Sequence, residues 1–240
     1  MREIFDLSHG FDEDTYHPFG FASFRNIQAF GSHGCRHAIV TMSLHFATHI
    51  DAPWHMVEDG KRLDQMGMSE LVGPAVVIDL SAAYGPGIAS APREITPDAV
   101  NQGLSACGEK LAAGDALIVY TGWAPLFQSE PMRYYSEYRV LSVAACDLLV
   151  RLGVRLIGMD SPDFDAPDSY ESAPFKPVRH RKLLGKGIYL IENVGGDVAR
   201  VAGERLFLLP APLKIRGEYA SGAPLRLLAM KLDKEGSLLP

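Results

Sequence analysis

Apolar residues fall along this chain in short blocks separated by glycine, proline and charged residues. Residues 74–80 form a run of strand length, Pro74-Ala75-Val76-Val77-Ile78-Asp79-Leu80, the pattern of a strand covered on both faces. Residues 115–121, with Leu117, Ile118, Val119 and Tyr120, predict a second buried strand. Residues 154–159 and 188–191 predict two more, and 205–209 and 225–232 close the set. Near the start, 3–8 predicts a short strand, and 37–45 predicts another carrying Ile39, Val40, Met42 and Leu44. Between the strands lie helix signals. Thr96-Pro97-Asp98 offers a hydroxyl cap, a proline at the first helical position and an acid in the first turn, for a helix running to about Leu111. Ser142 caps a helix through Leu152, and Gly153 stops it. Short helices are predicted within the polar stretch 61–71 and over 178–184. Residues 10–31, rich in Gly, Pro and aromatics, show neither period and predict a long ordered loop; 84–92 predicts another. Strands alternate with helices in the middle and gather at the end. The class is therefore mixed α/β, a mixed sheet or small barrel with flanking helices, and no composition break divides residues 1–240 into separate domains.

One stretch stands apart from this pattern. Leu44-His45-Phe46-Ala47-Thr48-His49-Ile50-Asp51-Ala52-Pro53-Trp54-His55 holds three of the chain's 8 histidines and an aspartate, at intervals that are all even. In extended backbone, even spacing puts His45, His49, Asp51 and His55 on one face. A helix would throw Asp51 off the face of His45 and His49, and Pro53 should bend the segment so that His55 returns over the others. Imidazole nitrogens and a carboxylate oxygen are ligands for Zn²⁺, Mn²⁺ or Fe²⁺. Two histidines and an aspartate leave a position for water or substrate, as in a catalytic metal site. Downstream, His180 is the only later histidine, and Glu192 ends the strand predicted over 188–191. A carboxylate there is costly to bury unless it is paired or holds a cation. His9, His17, His33 and His37 form no tight cluster and read as surface or structural residues.

The remaining composition narrows the function classes. A net charge of −6 argues against nucleic acid or an anionic membrane as the main partner. Cys35, Cys107 and Cys146 are scattered and form no CxxC pair, which suggests reduced thiols and a cytoplasmic setting. The first residues have no signal-peptide pattern, and no 18-residue apolar run predicts a membrane span. His-Glu-x-x-His, Gly-x-Ser-x-Gly and Gly-x-Gly-x-x-Gly in a strand–helix context are all missing, so zincin, serine-hydrolase and dinucleotide readings find no support.

The 45–55 segment resembles the His-x-Gly-Thr-His-x-Asp-x-Pro-x-His signature of the putative cyclase family, which includes bacterial kynurenine formamidases and isatin hydrolases. The resemblance continues in Gly158-Met159-Asp160, in His180-Arg181-Lys182-Leu183-Leu184, in Ile191-Glu192-Asn193, and in Leu209-Pro210-Ala211-Pro212-Leu213-Lys214 with Gly222-Ala223-Pro224-Leu225-Arg226. It implies a swivelling β/β/α domain around a small barrel, in dimers or tetramers. It implies that His45, His49 and Asp51 bind one divalent metal, Zn or Mn. Asp51 would bridge to a second ion held by His180 and Glu192, and His55 would be the acid/base histidine, with Glu192 also at the reacting centre. Two departures stand out. Ala47 replaces the motif's glycine, so the backbone there should avoid positive φ. His17-Pro18-Phe19-Gly20 stands where formamidases carry a Trp-Pro-Gly-type element.

The implied chemistry is hydrolysis of an amide or lactone bond in a small molecule. A divalent metal brings the pKa of bound water from 15.7 to about 7, so hydroxide is available near neutral pH, and the metal stabilises the oxyanion. His55 would move the proton. Phe19, Phe21, Trp54 and Trp123 are candidate pocket walls that favour a flat aromatic substrate. Two alternatives stay open: a cyclic isatin-type lactam or lactone on the same site, and a non-enzymatic, metal-stabilised binding protein.

Overall fold

The computed structural model describes residues 3–18, 20–88, 90–171 and 175–231. Twelve strands occur among them: β1 (Ile4–Asp6), β2 (Ala22–Gln28), β3 (His37–Met42), β4 (His49–Asp51), β5 (Gly73–Asp79), β6 (Glu94–Ile95), β7 (Ala116–Tyr120), β8 (Val140–Leu141), β9 (Leu156–Met159), β10 (Tyr189–Glu192), β11 (Arg205–Pro212) and β12 (Gly222–Lys231). The main sheet runs β12-β11-β5-β7-β9-β10-β4, and β4 pairs back onto β12, closing seven strands into a barrel with β1 added beside β12. Strands β5, β7, β9 and β10 are mutually parallel, while β11, β12 and β4 run antiparallel to their neighbours. The barrel is thus mixed, and closure removes the open edges that a sheet of this size would otherwise expose.

Alternation along each strand builds two cores. Ala75, Val77, Ile118, Leu156, Ile191, Ile50 and Leu225 pack together inside the barrel. Val76, Ile78, Leu117, Val119, Ile157 and Leu190 face out and are covered by the helices Pro97–Ala106, Val143–Leu152 and Val178–Leu184. The predicted caps are in place. Thr96 accepts the backbone N–H of Ala99, Ser142 accepts that of Ala145, and Gly153 ends its helix at φ 70.

Three expectations change. The loop predicted over 10–31 contains β2, which pairs with β3 in an isolated two-stranded ribbon. Strand β2 is largely exposed on both faces, so no apolar/polar alternation marked it, while β3 covers the first part of the strand predicted over 37–45. The helix expected to reach Leu111 stops at Ala106, because Gly108 turns the chain at φ 67. The helices Leu126–Ser129 and Pro131–Glu137 went unread. They pack, with Trp123 and Phe46, into a third cluster beside the barrel.

Candidate active site

Strand β4 closes the barrel, and this closure builds the site. Ile50 points into the barrel core, so its neighbours His49 and Asp51 point to the opposite, helix-covered side. In the antiparallel ladder His49 lies opposite Glu192 at the end of β10. The helix Val178–Leu184 carries the buried His180. Four side chains then form a closed ring of alternating nitrogen and oxygen. His49 Nε2 is 3.5 Å from Asp51 Oδ1 and 3.3 Å from Glu192 Oε2. His180 Nε2 is 3.1 Å from Glu192 Oε1 and 3.4 Å from Asp51 Oδ2. Two ligands bound to one ion tetrahedrally at about 2.0–2.1 Å lie roughly 3.3 Å apart, so these separations match the edges of a coordination shell.

The donor set fits a metal in two further ways. His49 Nε2 and Asp51 Oδ2 are buried without a hydrogen-bond partner, which is costly unless something else satisfies them. His49 also donates from Nδ1 to the Ala47 carbonyl at 2.9 Å, which leaves Nε2 aimed into the ring. Within the described residues, His49, Asp51 and Glu192 form one group able to hold an ion; His45, Asp51 and His55 form another, and Asp163, Asp165 and His180 a third.

The even spacing of the sequence motif is not what gathers His45 and His55. Only 49–51 is strand. His45 sits in the preceding turn, and His55 ends the one-turn 3-10 helix Pro53–His55. Ala47 makes the first bend at φ 52, so the expectation that it avoids positive φ is overturned. The left-handed conformation costs an alanine about 1–2 kcal/mol, but the surroundings fix it. Besides the His49 bond, the Thr48 hydroxyl donates to the Asn193 carbonyl at 2.6 Å, and the Leu225 N–H donates to the Thr48 carbonyl at 3.1 Å. His45 is brought to Asp51 as a hydrogen-bonded pair, Nδ1 to Oδ1 at 2.7 Å, with Nε2 3.1 Å from Ser221 Oγ. Gly222 allows this approach, since a Cβ there would lie 2.6 Å from the His45 ring. His55 stacks on His45 with ring centres 4.0 Å apart.

Charge is distributed unevenly. Burial alone would lower His49, but the carboxylates of Asp51 and Glu192 beside it prevail and raise its pKa to about 10. His180 is likewise raised, against burial, by Asp165, Asp51 and Glu192. Burial opposes the charge of Asp51, yet the imidazoles of His55, His45 and His180 hold it well below the usual carboxylate range. For Glu192, burial and Asp51 push upward, and the neighbouring imidazoles of His180 and His49 bring it down. Burial pushes His55 down to about 4, so its imidazole is neutral at pH 7.

A cavity of ≈ 390 Å³ opens over the ring. His45, His49, His55, His180 and Glu192 form part of its lining, facing Tyr135, Tyr138, Tyr170 and Phe175. The walls are aromatic, as expected, but the residues differ from those expected. Phe21 is 62% exposed on the surface. Trp123 is fully buried in the third cluster and donates its indole N–H to the Tyr134 carbonyl. Trp54 donates to the Glu218 carbonyl and is not among the lining residues. Phe19 lies outside the described residues. His17, read from sequence as structural, lines the cavity instead, and burial brings it down to about 4. Asp163 and Asp165 also went unassigned. The only local signal was three acids, Asp160, Asp163 and Asp165, just past a strand end.

Comparisons with known proteins agree with this geometry. The family model for putative cyclase matches residues 5–166. Kynurenine formamidase of Bacillus cytotoxicus is 30% identical over 193 residues, covering 80% of this chain and 79% of that protein. The Geobacillus thermodenitrificans kynurenine formamidase is also 30% identical, over 194 residues, with the same coverage of 80% and 79%. Among solved structures, isatin hydrolase A from Labrenzia aggregata bound to benzyl benzoate superposes with a TM-score of 0.80 at 26% identity, over 95% of this chain and 93% of that one. Isatin hydrolase A from Ralstonia solanacearum, at 22% identity, shares the fold with a TM-score of 0.81 over 95% and 91% of the two chains. With its signature segment folded into the floor of the cavity and the match extending through most of its length, the chain belongs to the putative cyclase family.

Proposed function

We propose that this protein is a metal-dependent hydrolase that cleaves the amide bond of a small aromatic substrate, in the manner of a kynurenine formamidase. The carrying observation is the ring of His49, Asp51, His180 and Glu192, spaced like the edges of a coordination shell, beneath an aromatic cavity. These four residues would hold a divalent metal, Zn²⁺ or Mn²⁺, and His45 beside Asp51 would complete the set for a second ion. When bound, the metal supplies Lewis acidity toward a carbonyl and makes water acidic enough to ionise near neutral pH. His55, which lines the cavity and stacks on His45, is the proton carrier: it takes a proton from water and returns it to the leaving nitrogen. Tyr135, Tyr138, Tyr170 and Phe175 line the cavity and offer aromatic surface to a flat substrate.

A second reading, ring opening of an isatin-type lactam on the same residues, is favoured by the match to the Labrenzia aggregata isatin hydrolase over 95% of the chain. A purely structural metal role has less support, because the ring opens onto a cavity instead of being sealed. No helix among the described residues is long and apolar enough to cross a membrane, and the three free cysteines support a cytoplasmic setting. Phe24, Ile27, Ile39 and Val40 are exposed on the β2–β3 ribbon. A two-stranded ribbon is marginal alone, which supports a homodimer or homotetramer in which a second copy covers it; sedimentation equilibrium checks this.

The test is hydrolysis of N-formylkynurenine and of isatin by wild-type protein and by His55→Ala, with metal content measured in both. The expected result is metal retained and turnover of the preferred substrate lowered about 10²–10⁴-fold, the usual contribution of a positioned acid or base. Unchanged turnover would remove His55 from the reaction, and a metal-free but fully active wild type would remove the metal.

A further inference from the structure

His180 is gripped from behind by a residue outside the ring. Asp165 is fully buried, and its carboxylate accepts three N–H groups from one turn of helix. Oδ1 accepts the Arg179 backbone N–H at 2.9 Å. Oδ2 accepts the His180 backbone N–H at 3.2 Å and lies 2.8 Å from the His180 ring at Nδ1. The helix Val178–Leu184 has no side-chain cap of its own at Pro177, so Asp165 supplies that role from another segment. Asp165 is itself fixed. Its backbone N–H donates to Asp163 Oδ1 at 2.7 Å, and its carbonyl accepts the Tyr138 hydroxyl at 2.7 Å.

The 2.8 Å contact lies at hydrogen-bond distance, and the same oxygen accepts the His180 backbone N–H. With Nδ1–H committed to a carboxylate, it is the Nε2 proton that leaves when a metal binds, and the lone pair is then on Nε2. Nε2 is the atom that faces Glu192 and Asp51. We propose that Asp165 is a positioning residue: it locks the rotation and tautomer of His180 so that the Nε2 lone pair is presented to the metal. This rests on the metal site proposed above. It makes a prediction about Asp165, which does not line the cavity and meets the ring of four only through the far side of His180.

The probe is Zn²⁺ alone, titrated into wild type, Asp165→Asn and Asp165→Ala in competition with a chromophoric chelator. Both variants should bind Zn²⁺ more weakly, by about 10–100-fold, as removal of such a partner typically does. Asparagine keeps an acceptor for Nδ1–H but loses the charge, so alanine should be the weaker binder. A second readout separates ring orientation from general stability. In Co²⁺-loaded protein the His180 Nδ1–H should give a slowly exchanging shifted proton resonance, assigned by its loss in His180→Gln. That resonance should survive in Asp165→Asn and disappear in Asp165→Ala. If Asp165→Ala does not fold, Asp165→Asn carries the affinity test. Unchanged Zn²⁺ affinity in the variant, or a retained resonance in Asp165→Ala, overturns the proposal. Wild-type protein that binds no Zn²⁺ overturns the metal site and this role with it, and the wild-type titration tells the two failures apart.

Discussion

Substituting Ala47 by glycine tests whether the bend ahead of β4 is held against its own preference. Ala47 is 2% exposed with φ 52. Three terms decide the outcome. Glycine relieves a left-handed strain of about 1–2 kcal/mol. It costs about 0.4–1 kcal/mol through the greater freedom of the unfolded chain. It also gives up one buried methyl, about 0.8 kcal/mol. The sum lies within roughly 1 kcal/mol of zero. Were Ala47 in an ordinary right-handed or extended conformation, only the two costs would apply, and glycine would destabilise by about 1.2–1.8 kcal/mol. Urea unfolding of wild type and Ala47→Gly, both metal-free, separates the two. A loss of 1.5 kcal/mol or more would refute the strained bend. Ala47→Val supplies the opposite sign, because a β-branched residue at positive φ is a genuine outlier. It should be clearly destabilised, and a stable valine variant would refute the same point.

Three further outcomes are expected. His49→Ala should lose metal and hydrolysis together, as measured by metal content after dialysis and turnover of the same sample; a fully loaded variant would remove His49 as a ligand. Metal binding at pH 7 should release about two protons, because His49, raised to about 10, and His180, also raised, are protonated in the metal-free chain while Asp51 and Glu192 are already ionised. Affinity should therefore rise with pH through the neutral range, and calorimetry in buffers of different ionisation enthalpy that finds no release would contradict it. Cys146 is buried and its thiol is pushed up to about 12, so at pH 8 it should react with a disulfide reagent only after denaturant is added; rapid labelling in the native protein would show that this core opens.

The strands of the barrel were legible because burial on both faces leaves continuous apolar runs, as at 74–80 and 115–121. The caps at Thr96 and Ser142 were legible because capping is local chemistry. Strand β2 was not, since its stability comes from pairing with β3 and its exposed faces carry no period, whereas β3 falls within the strand predicted over 37–45. The metal-type residues were visible as residue types, but the parity argument gave only His49 and Asp51 their correct face. His45 and His55 arrive through turns, and a positive φ at an alanine is invisible to composition. The cavity wall was misread for a related reason. Tyr135 and Tyr138 lie in and just after a helix that the sequence reading passed over, and Trp123 is spent on the core beneath them.

The location of the site follows from how the barrel closes. Strand β4 is three residues long and pairs on both sides, Glu192 to His49 on one and Gly222 to Asp51 on the other. Its middle residue, Ile50, contributes to the barrel core, and its outer two contribute half of the ring of four. One face of the same segment is therefore stabilised by apolar burial, and the other holds His49 Nε2 and Asp51 Oδ2 beside charged partners at 3.3 to 3.5 Å but without a hydrogen bond. Buried atoms without hydrogen bonds gain a partner when a cation meets them. A metal that binds only the closed form stabilises it by mass action. It follows that metal removal should loosen β4 and the turns on either side of it before it disturbs the parallel strands β5, β7 and β9. Hydrogen exchange with and without chelator reads this directly: the amides of 49–52 should lose protection while those of 116–120 keep it. Equal loss across both segments would mean that the site and the barrel do not share their closing strand in the way described.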